Sequence, residues 1–272
     1  MAAGTLEVRN VSKAFGGIRS VQEMSLVVRP GEIVSLIGPN GAGKTTLINL
    51  ISGFYKPDEG EILFGGKRID GLRPDQVTAA GIARTFQSLR IFHELSVLDN
   101  VMVAQHHRLG VGWIAASLGL PRYRVRIKEL EAGAVGALAF FGRRLSGYRL
   151  SQPVRVLSYA NRRRVEMARA MSTGARLLLL DEPSAGMNPH ETDEIARLIL
   201  RMRDERGFAI LLVEHKMKLV ESVSDRVIAM DFGKKLAEGA FREVTSDPRV
   251  VESYLGRMPG EVGGQDEEPE EG

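Results

Sequence analysis

Residues 38–46 read GPNGAGKTT and fit the pattern G-x-x-x-x-G-K-[ST]. An apolar run typical of a buried strand precedes them at 33–37, and a helical pattern follows at 47–51. The loop therefore stands in the strand-to-helix context that this pattern requires. A chance match in a glycine-rich turn would not explain both flanking elements.

The residue types of this loop predict polyphosphate binding. Glycines let successive backbone N–H groups point inward, and together with the helix N-terminus they surround phosphate. Lys44 would supply positive charge for the β- and γ-phosphates, and the Thr45 hydroxyl can ligate Mg²⁺. We therefore expect the chain to bind a nucleoside triphosphate. The predicted ATP-binding residues of the loop are Gly38, Pro39, Asn40, Gly41, Ala42, Gly43, Lys44, Thr45 and Thr46.

The composition is that of an ordinary soluble globular protein of 272 residues, with 43% hydrophobic and 26% charged residues. The absence of cysteine excludes a disulfide framework and a thiolate metal site. Residues 1–10 lack the basic start and apolar core of a signal peptide. The longest uncharged stretch, 109–121, has 13 residues. It falls short of the ~20 that a membrane-spanning helix needs.

Charge divides the chain unevenly. Residues 261–272 hold six acidic residues and no basic one, so the net charge of +3 leaves +9 on residues 1–260. We expect an acidic, disordered tail at 257–272 after a folded domain at 1–256. The basic body shows no aromatic interleaving, so no nucleic-acid partner is expected.

The pattern along the chain predicts an α/β fold with an insertion. Alternating apolar residues predict strands in the first thirty residues, ahead of the phosphate loop. From about 88 to 156 the pattern is helical and rich in arginine, which favours a helical subdomain with a solvated or docking face. The α/β pattern then resumes.

Polar side chains follow three of the predicted strands: Gln87, the pair Asp181-Glu182 and the pair Glu214-His215. In a parallel sheet the carboxyl ends of the strands share one edge, which is also where the phosphate loop lies. We therefore expect these side chains to converge on one nucleotide.

The second acidic element completes a hydrolytic site. An apolar strand ending in Asp is what a phosphate-loop ATPase needs to hold Mg²⁺, and Asp181 fits that role. Glu182 could act as the general base that deprotonates the attacking water. His215 would hydrogen-bond the γ-phosphate or that water. Phe15, followed by two glycines, is predicted either to stack on adenine or to join the core.

Together these motifs resemble an ABC-transporter ATPase subunit, over about residues 5–256. The resemblance rests on the phosphate loop, ARTFQ ending at Gln87, LSYANRRRVEMARA at 157–170, LLLLDEP at 177–183, SAGMNP at 184–189 and His215 within LLVEHKM. RTFQ, SAGMNP, VEHKMKLVESVSDRV and the final VVESYLG look most like the ATPase of branched-chain amino acid importers.

The resemblance implies a RecA-like core, an N-terminal antiparallel β region and an inserted helical subdomain that docks a permease. It also implies ATP and Mg as cofactors, a second ATPase subunit, two membrane permeases and a solute-binding protein. The chain would be peripheral, at the cytoplasmic face of the cell membrane. Phe15 would stack on adenine, while Gln87 would sense Mg²⁺ and the attacking water.

Two further segments take their roles from the resemblance alone. The signature segment, with Ser158 at a helix start, would approach the γ-phosphate held by the opposite subunit. A loop after the acidic pair would cross the dimer interface. The signature residues are Ser158, Tyr159, Ala160 and Asn161, and the interface residues are Ser184, Ala185, Gly186, Met187 and Asn188.

The signature departs from its usual form, LSGGQ or LSYGQ. Ala160 replaces a glycine whose backbone lies against phosphate, and Asn161 is one methylene shorter than Gln. Our hypothesis is that, in a heterodimer, the chain's own ATP site is sound while its partner's is slow. Tolerated drift without kinetic consequence is the alternative.

Three other functions are compatible with parts of the sequence. An exporter ATPase, such as one that extracts lipopolysaccharide, shares the fold, although the long insertion at 106–149 argues against it. Soluble ATP switches often carry two ATPase domains in one chain, and this chain has one set of motifs. Phosphotransfer to a small molecule leaves Glu182 and Ser158 unexplained.

Overall fold

The computed structural model describes residues 4–111, 116–118 and 120–255, so the tail predicted at 257–272 lies outside the described residues. The strands are β1 (Leu6–Phe15), β2 (Ile18–Val28), β3 (Ile33–Ile37), β4 (Glu59–Phe64), β5 (Lys67–Arg68), β6 (Ile82–Arg84), β7 (Leu177–Asp181), β8 (Ala209–Val213), β9 (Arg226–Asp231) and β10 (Lys234–Gly239). The α-helices are α1 (Lys44–Ile51), α2 (Pro74–Ala80), α3 (Val97–Val103), α4 (Pro121–Ala139), α5 (Tyr159–Ser172), α6 (Pro189–Arg206), α7 (Met217–Val223), α8 (Phe241–Ser246) and α9 (Pro248–Leu255).

Two sheets form the body of the protein. The N-terminal sheet has the order β2-β1-β4-β5 and its pairs are antiparallel. The central sheet has the order β10-β9-β3-β8-β7-β6, with β10 antiparallel to β9 and the other pairs parallel. The predicted fold class, an α/β core with an N-terminal antiparallel region and inserted helices, is confirmed.

The central strands read as continuous apolar runs because both faces of the sheet are covered. Side chains alternate along β7, so Leu178 and Leu180 pack into one core while Leu177 and Leu179 pack into the other. The first core lies against α5, α6 and the inserted helices, and the second lies against α1 and the N-terminal sheet.

The insertion between β6 and α5 is helical. It contains α3, α4 and short 3₁₀ turns at His106–Arg108, Gly142–Leu145, Gly147–Ser151 and Val154–Val156. Buried side chains of α3 and α4 join the same core as α5, which fixes the insertion to the sheet. Among the helices described, none combines the length and the apolar character needed to cross a bilayer.

One predicted boundary is wrong. The sequence pattern extends the strand before Gln87 to Phe86, whereas β6 ends at Arg84. The Thr85 N–H still donates to the Leu179 carbonyl, at 2.9 Å. Beyond that bond the chain leaves the sheet, because its next backbone groups pair with side chains of α5 instead.

Candidate nucleotide site

The phosphate loop requires glycine at two close approaches. Gly38 has φ of 147°, and a Cβ there would lie 2.1 Å from the Met230 carbonyl oxygen. Gly43 has φ of 98°, and its Cβ would lie 2.2 Å from the Ser20 carbonyl oxygen. Helix α1 begins directly after Gly43 without a side-chain cap, so its first N–H groups remain available to an anion.

Lys44 is buried at the mouth of the loop, 6% exposed. Its Nζ atom donates to the carbonyl oxygens of Gly38 at 2.6 Å and Pro39 at 2.7 Å. Burial lowers the pKa of Lys44, and the nearby carboxylates of Glu182 and Asp181 oppose that shift. An ammonium has three donors, so a third remains for phosphate while two hold the loop.

Phe15 lies at the end of β1 and is 41% exposed, so it does not belong to the core. The rings of Phe15 and Tyr55 are in T-shaped contact, with centroids 5.1 Å apart and an angle of 67° between their planes. The Lys13 ammonium lies 5.5 Å from the Phe15 ring centroid. This exposed ring, supported from one side, can stack on a base. No sequence motif marked Tyr55.

Asp181 ends β7 and is paired with an arginine. Arg84 Nη2 donates to Asp181 Oδ2 at 2.9 Å, and the two side chains are 9% and 5% exposed. Arg84 Nη1 also donates to Asn49 Oδ1 and Ser52 Oγ. Burial lowers the pKa of Arg84, while Asp181 raises it. No sequence motif marked Arg84, because an arginine usually lies in solvent.

Glu182 joins the two other polar strand-end residues. Its Oε2 accepts from Gln87 Nε2 at 3.0 Å, and its Oε1 lies 3.1 Å from His215 Nε2. An ionised carboxylate only accepts hydrogen bonds, so that contact requires the proton on Nε2 of His215. Glu182 has φ of 47°, a conformation that residues with a Cβ rarely adopt and that is enriched at active sites.

Two charged residues hold this edge of the sheet in place. Glu214, 2% exposed, accepts from the N–H groups of Ser184 and His215, both at 2.9 Å. Lys216 Nζ donates to the carbonyls of Ser184 at 3.0 Å and Met187 at 2.9 Å. Sequence reasoning assigned no role to Lys216, because a lysine after a strand usually lies in solvent.

The donor set predicted for Mg²⁺ fits that ion. Thr45 lies in the first turn of α1, Asp181 at the carboxyl end of β7, and Gln87 touches Glu182 beside them. Hydroxyl, carboxylate and amide oxygens are the hard ligands that Mg²⁺ prefers.

The predicted interface loop is only partly on the surface. Ser184 and Met187 are buried, whereas Gly186 and Asn188 are exposed. Asn188 caps α6: its Oδ1 accepts from the Glu191 N–H at 2.9 Å, and Glu191 returns a bond to the Asn188 N–H. Ala185 is half-buried.

The signature segment begins α5. Ser158 caps the helix by accepting from the Asn161 N–H at 3.4 Å, and Ser158 and Tyr159 are exposed. Ala160 is 4% exposed and packs in the core. Asn161 turns inward, where its Oδ1 accepts from Arg164 Nη1 at 2.7 Å.

The structure thus unites Lys44, Asp181, Glu182, Gln87 and His215 at one sheet edge. Ser158 and Asn188 stay apart: within the described ranges, neither side chain hydrogen-bonds to the phosphate loop. Their predicted roles concern an opposite subunit.

Comparison with known proteins places the chain in a family. A family model described as "ABC transporter" matches residues 21–185, and one described as "Branched-chain amino acid ATP-binding cassette transporter" matches residues 234–258. The high-affinity branched-chain amino acid transport ATP-binding protein LivG of Escherichia coli (strain K12) is 40% identical, over 94% of this chain and 99% of LivG. BraF of Pseudomonas aeruginosa, which bears the same description, is 40% identical over the same shares.

A solved structure agrees with these relatives. The ADP conformation of MJ1267, an ATP-binding cassette of an ABC transporter, superposes with a TM-score of 0.80 at 31% identity, covering 94% of this chain and 100% of that one. The chain therefore belongs to the ABC transporter family, as a nucleotide-binding ATPase subunit.

Proposed function

We propose that this chain is the ATP-hydrolysing subunit of an importer for branched-chain amino acids or a related small polar solute. The contact of Glu182 with both Gln87 and His215, beside the phosphate loop, carries the hydrolytic part. The descriptions of LivG and BraF support the choice of solute.

Each polar side chain of the site would have one task in hydrolysis. Glu182 accepts the proton of the attacking water, and its contacts with Gln87 and His215 aim its carboxylate. The Nε2–H of His215, which is directed at Glu182 in this structure, would turn to the γ-phosphate once nucleotide is bound. Lys44 neutralises the β- and γ-phosphates from the loop. Phe15 stacks on adenine.

Mg²⁺ would be held by Thr45, Asp181 and Gln87, and when bound it would neutralise charge on the β- and γ-phosphates. Arg84 keeps the Asp181 carboxylate oriented at the end of β7.

The working unit would be a dimer of two such ATPase subunits, either identical or different. Ser158 at the start of α5 would bring its hydroxyl and the helix N-terminus to the ATP of the opposite subunit. Gly186 and Asn188 would meet that subunit at the interface loop.

The chain would work at the cytoplasmic face of the cell membrane as a peripheral subunit. Residues 1–256 would form the ATPase domain, and 257–272 would form an acidic tail. The helical subdomain at about 88–156 would dock a cytoplasmic loop of a permease, and the assembly would contain two membrane permeases. A solute-binding protein would deliver the solute from the other side.

The test is transport by the reconstituted complex. The chain would be co-expressed with a candidate partner ATPase, two permeases and their solute-binding protein, and placed in vesicles with ATP. We expect ATP-dependent uptake of labelled leucine, isoleucine or valine, absent with Glu182→Gln. ATP turnover that is the same with and without the permeases and solute would instead favour a soluble ATP switch. Stimulation of ATP turnover by lipopolysaccharide would favour an exporter.

A further inference from the structure

Arg163 lies on α5, is fully buried, and reaches out of its helix to the segment that carries Gln87. Its Nη1 atom donates to the Phe86 carbonyl at 2.6 Å, and its Nη2 atom donates to the Gln87 carbonyl at 2.9 Å. The same Nη2 also donates to the Tyr159 hydroxyl at 3.0 Å. One guanidinium therefore joins the backbone of the Gln87 segment to the signature segment.

Glu166, one turn further along α5, binds both Arg163 and the segment that carries Gln87. Its Oε2 accepts from Arg163 Nη1 at 2.8 Å, and its Oε1 accepts from the Phe86 N–H at 3.2 Å. The Arg163 and Glu166 side chains are 0% and 5% exposed. Between them they hold both backbone groups of Phe86 and the carbonyl of Gln87, which are the groups that leave the central sheet after β6.

The two ends of this connection lie at two different functional segments. At one end, the Gln87 side chain donates to Glu182, the predicted general base. At the other end, Tyr159 follows Ser158 directly, and both are exposed at the start of α5. Every link from Glu182 through Gln87 and Arg163 to Tyr159 is a hydrogen bond or one residue of backbone.

The chemistry of the site favours coupling over simple packing. A planar guanidinium can bond two adjacent carbonyls and a hydroxyl at once, which an ammonium cannot do in this geometry. Among the described residues, the buried Nε of Arg163 has no hydrogen-bond partner. Apolar residues in place of Arg163 and Glu166 would leave the backbone groups of Phe86 and Gln87 without these partners, so the pair fixes the Gln87 segment to α5.

We propose that Arg163 is a positioning residue that couples the chain's own nucleotide site to its signature segment. A shift of Gln87 when the γ-phosphate arrives would be passed by Arg163 to Tyr159 and Ser158, and so to the site of the opposite subunit. This proposal rests on the function proposed above.

The test measures amide hydrogen exchange of the full-length chain with and without Mg-ATP, following the peptide that covers residues 157–165. The background is Glu182→Gln, which keeps ATP intact. Nucleotide affinity is measured on the same samples with a fluorescent ATP analogue. The exchange change must be equal at two well-separated protein concentrations, which excludes protection by dimer contacts.

We expect ATP to change exchange at 157–165 in the parent. With Arg163→Gln added, that change should be lost while affinity is kept. Arg163→Lys, which retains the charge but reaches fewer acceptors, should give an intermediate change, and it serves as the second variant if Arg163→Gln fails to fold. Arg162→Gln is the matched control on the same helix, because Arg162 bonds to the carbonyls of Leu157 and Arg155 within its own segment.

The outcomes separate the two proposals. If Arg163→Gln responds to ATP as the parent does, or if the parent binds ATP without any change at 157–165, the coupling role is wrong and the proposed function stands. If the parent binds no ATP, the proposed function fails and the coupling fails with it.

Discussion

The Nη2 atom of Arg84 lies 2.9 Å from Oδ2 of Asp181, the acid predicted to hold Mg²⁺. The two side chains are 9% and 5% exposed, so neither charge is solvated by bulk water. Arg84 also donates to Asn49, in the helix α1 that follows the phosphate loop, and to Ser52, directly after that helix. The pair therefore ties the end of β7 to the C-terminal end of α1.

Removing Arg84 should destabilise the protein strongly. Arg84→Leu leaves Asp181 as a buried carboxylate without its counter-charge, and breaking such a pair costs about 3–5 kcal/mol. Urea unfolding without nucleotide would measure the loss. The double variant with Asp181→Asn should recover much of it, because no buried charge is then left alone. A loss in Arg84→Leu no larger than in an exposed control such as Arg122→Leu would contradict this assignment.

Truncating Phe15 should weaken ATP binding without unfolding the protein. Its ring is 41% exposed, and stacking of a base on an aromatic ring is worth about 1–3 kcal/mol, so Phe15→Ala should lower affinity roughly tenfold. Titration with a fluorescent ATP analogue measures this. Ile18→Ala is the matched control, because Ile18 is 73% exposed on the other strand of the same hairpin. Equal affinities in the two variants would place adenine elsewhere.

Asp58 should make the N-terminal hairpin sensitive to acid. Its carboxylate accepts from Lys13 Nζ at 2.6 Å and from the Ala14 N–H at 2.8 Å, next to Phe15. The bond from Lys13, which has the larger effect, and the bond from Ala14 hold the pKa of Asp58 below its ordinary value of 3.8. A carboxylate whose pKa is lower in the folded state than in the unfolded state stabilises the fold at pH values above its unfolded-state pKa. This stabilisation is lost as pH falls through its folded-state pKa.

The stability difference between the parent and Asp58→Asn should therefore be constant at neutral and mildly acidic pH. It should shrink only below about pH 3.8. Thermal unfolding across a pH series measures it. A difference that already declines near neutrality would show that another group is titrating.

The signature alanine should be tolerated. Ala160 is buried in the first turn of α5, where its Cβ packs in the core and its backbone is helical. Its Cβ is accommodated within this chain's own core, so we expect no steric cost at the partner's ATP. Ala160→Gly should lower stability by about 1 kcal/mol and leave the ATP turnover of the assembled transporter unchanged, alone or with Asn161→Gln. Faster turnover would support the hypothesis of a slow partner site.

The sequence predicted the sheet edge well because local signals fix it. Continuous apolar runs such as β7 and β8 predict buried parallel strands. Because the carboxyl ends of parallel strands meet at one edge of the sheet, the acids that follow these strands lie together there. The glycines of the phosphate loop likewise indicate positive φ angles, which the structure has at Gly38 and Gly43.

The arginines could not be predicted in the same way. Arg84 and Arg163 read as ordinary solvated charges, and only tertiary packing turns them into buried pairs with Asp181 and Glu166. Phe15 stayed ambiguous for a related reason, since its exposure depends on where the β1 hairpin ends.

The role of Glu182 as general base is tested by the ATP turnover of Glu182→Gln, with nucleotide affinity measured on the same preparation. Because the amide keeps the shape but cannot accept the proton of water, we predict turnover lower by about 10²- to 10⁴-fold with affinity unchanged. Glu205→Gln, which changes an exposed carboxylate paired with Arg201 near the end of α6, should retain turnover. Turnover by Glu182→Gln close to that of the parent would contradict the assignment of Glu182 as the general base.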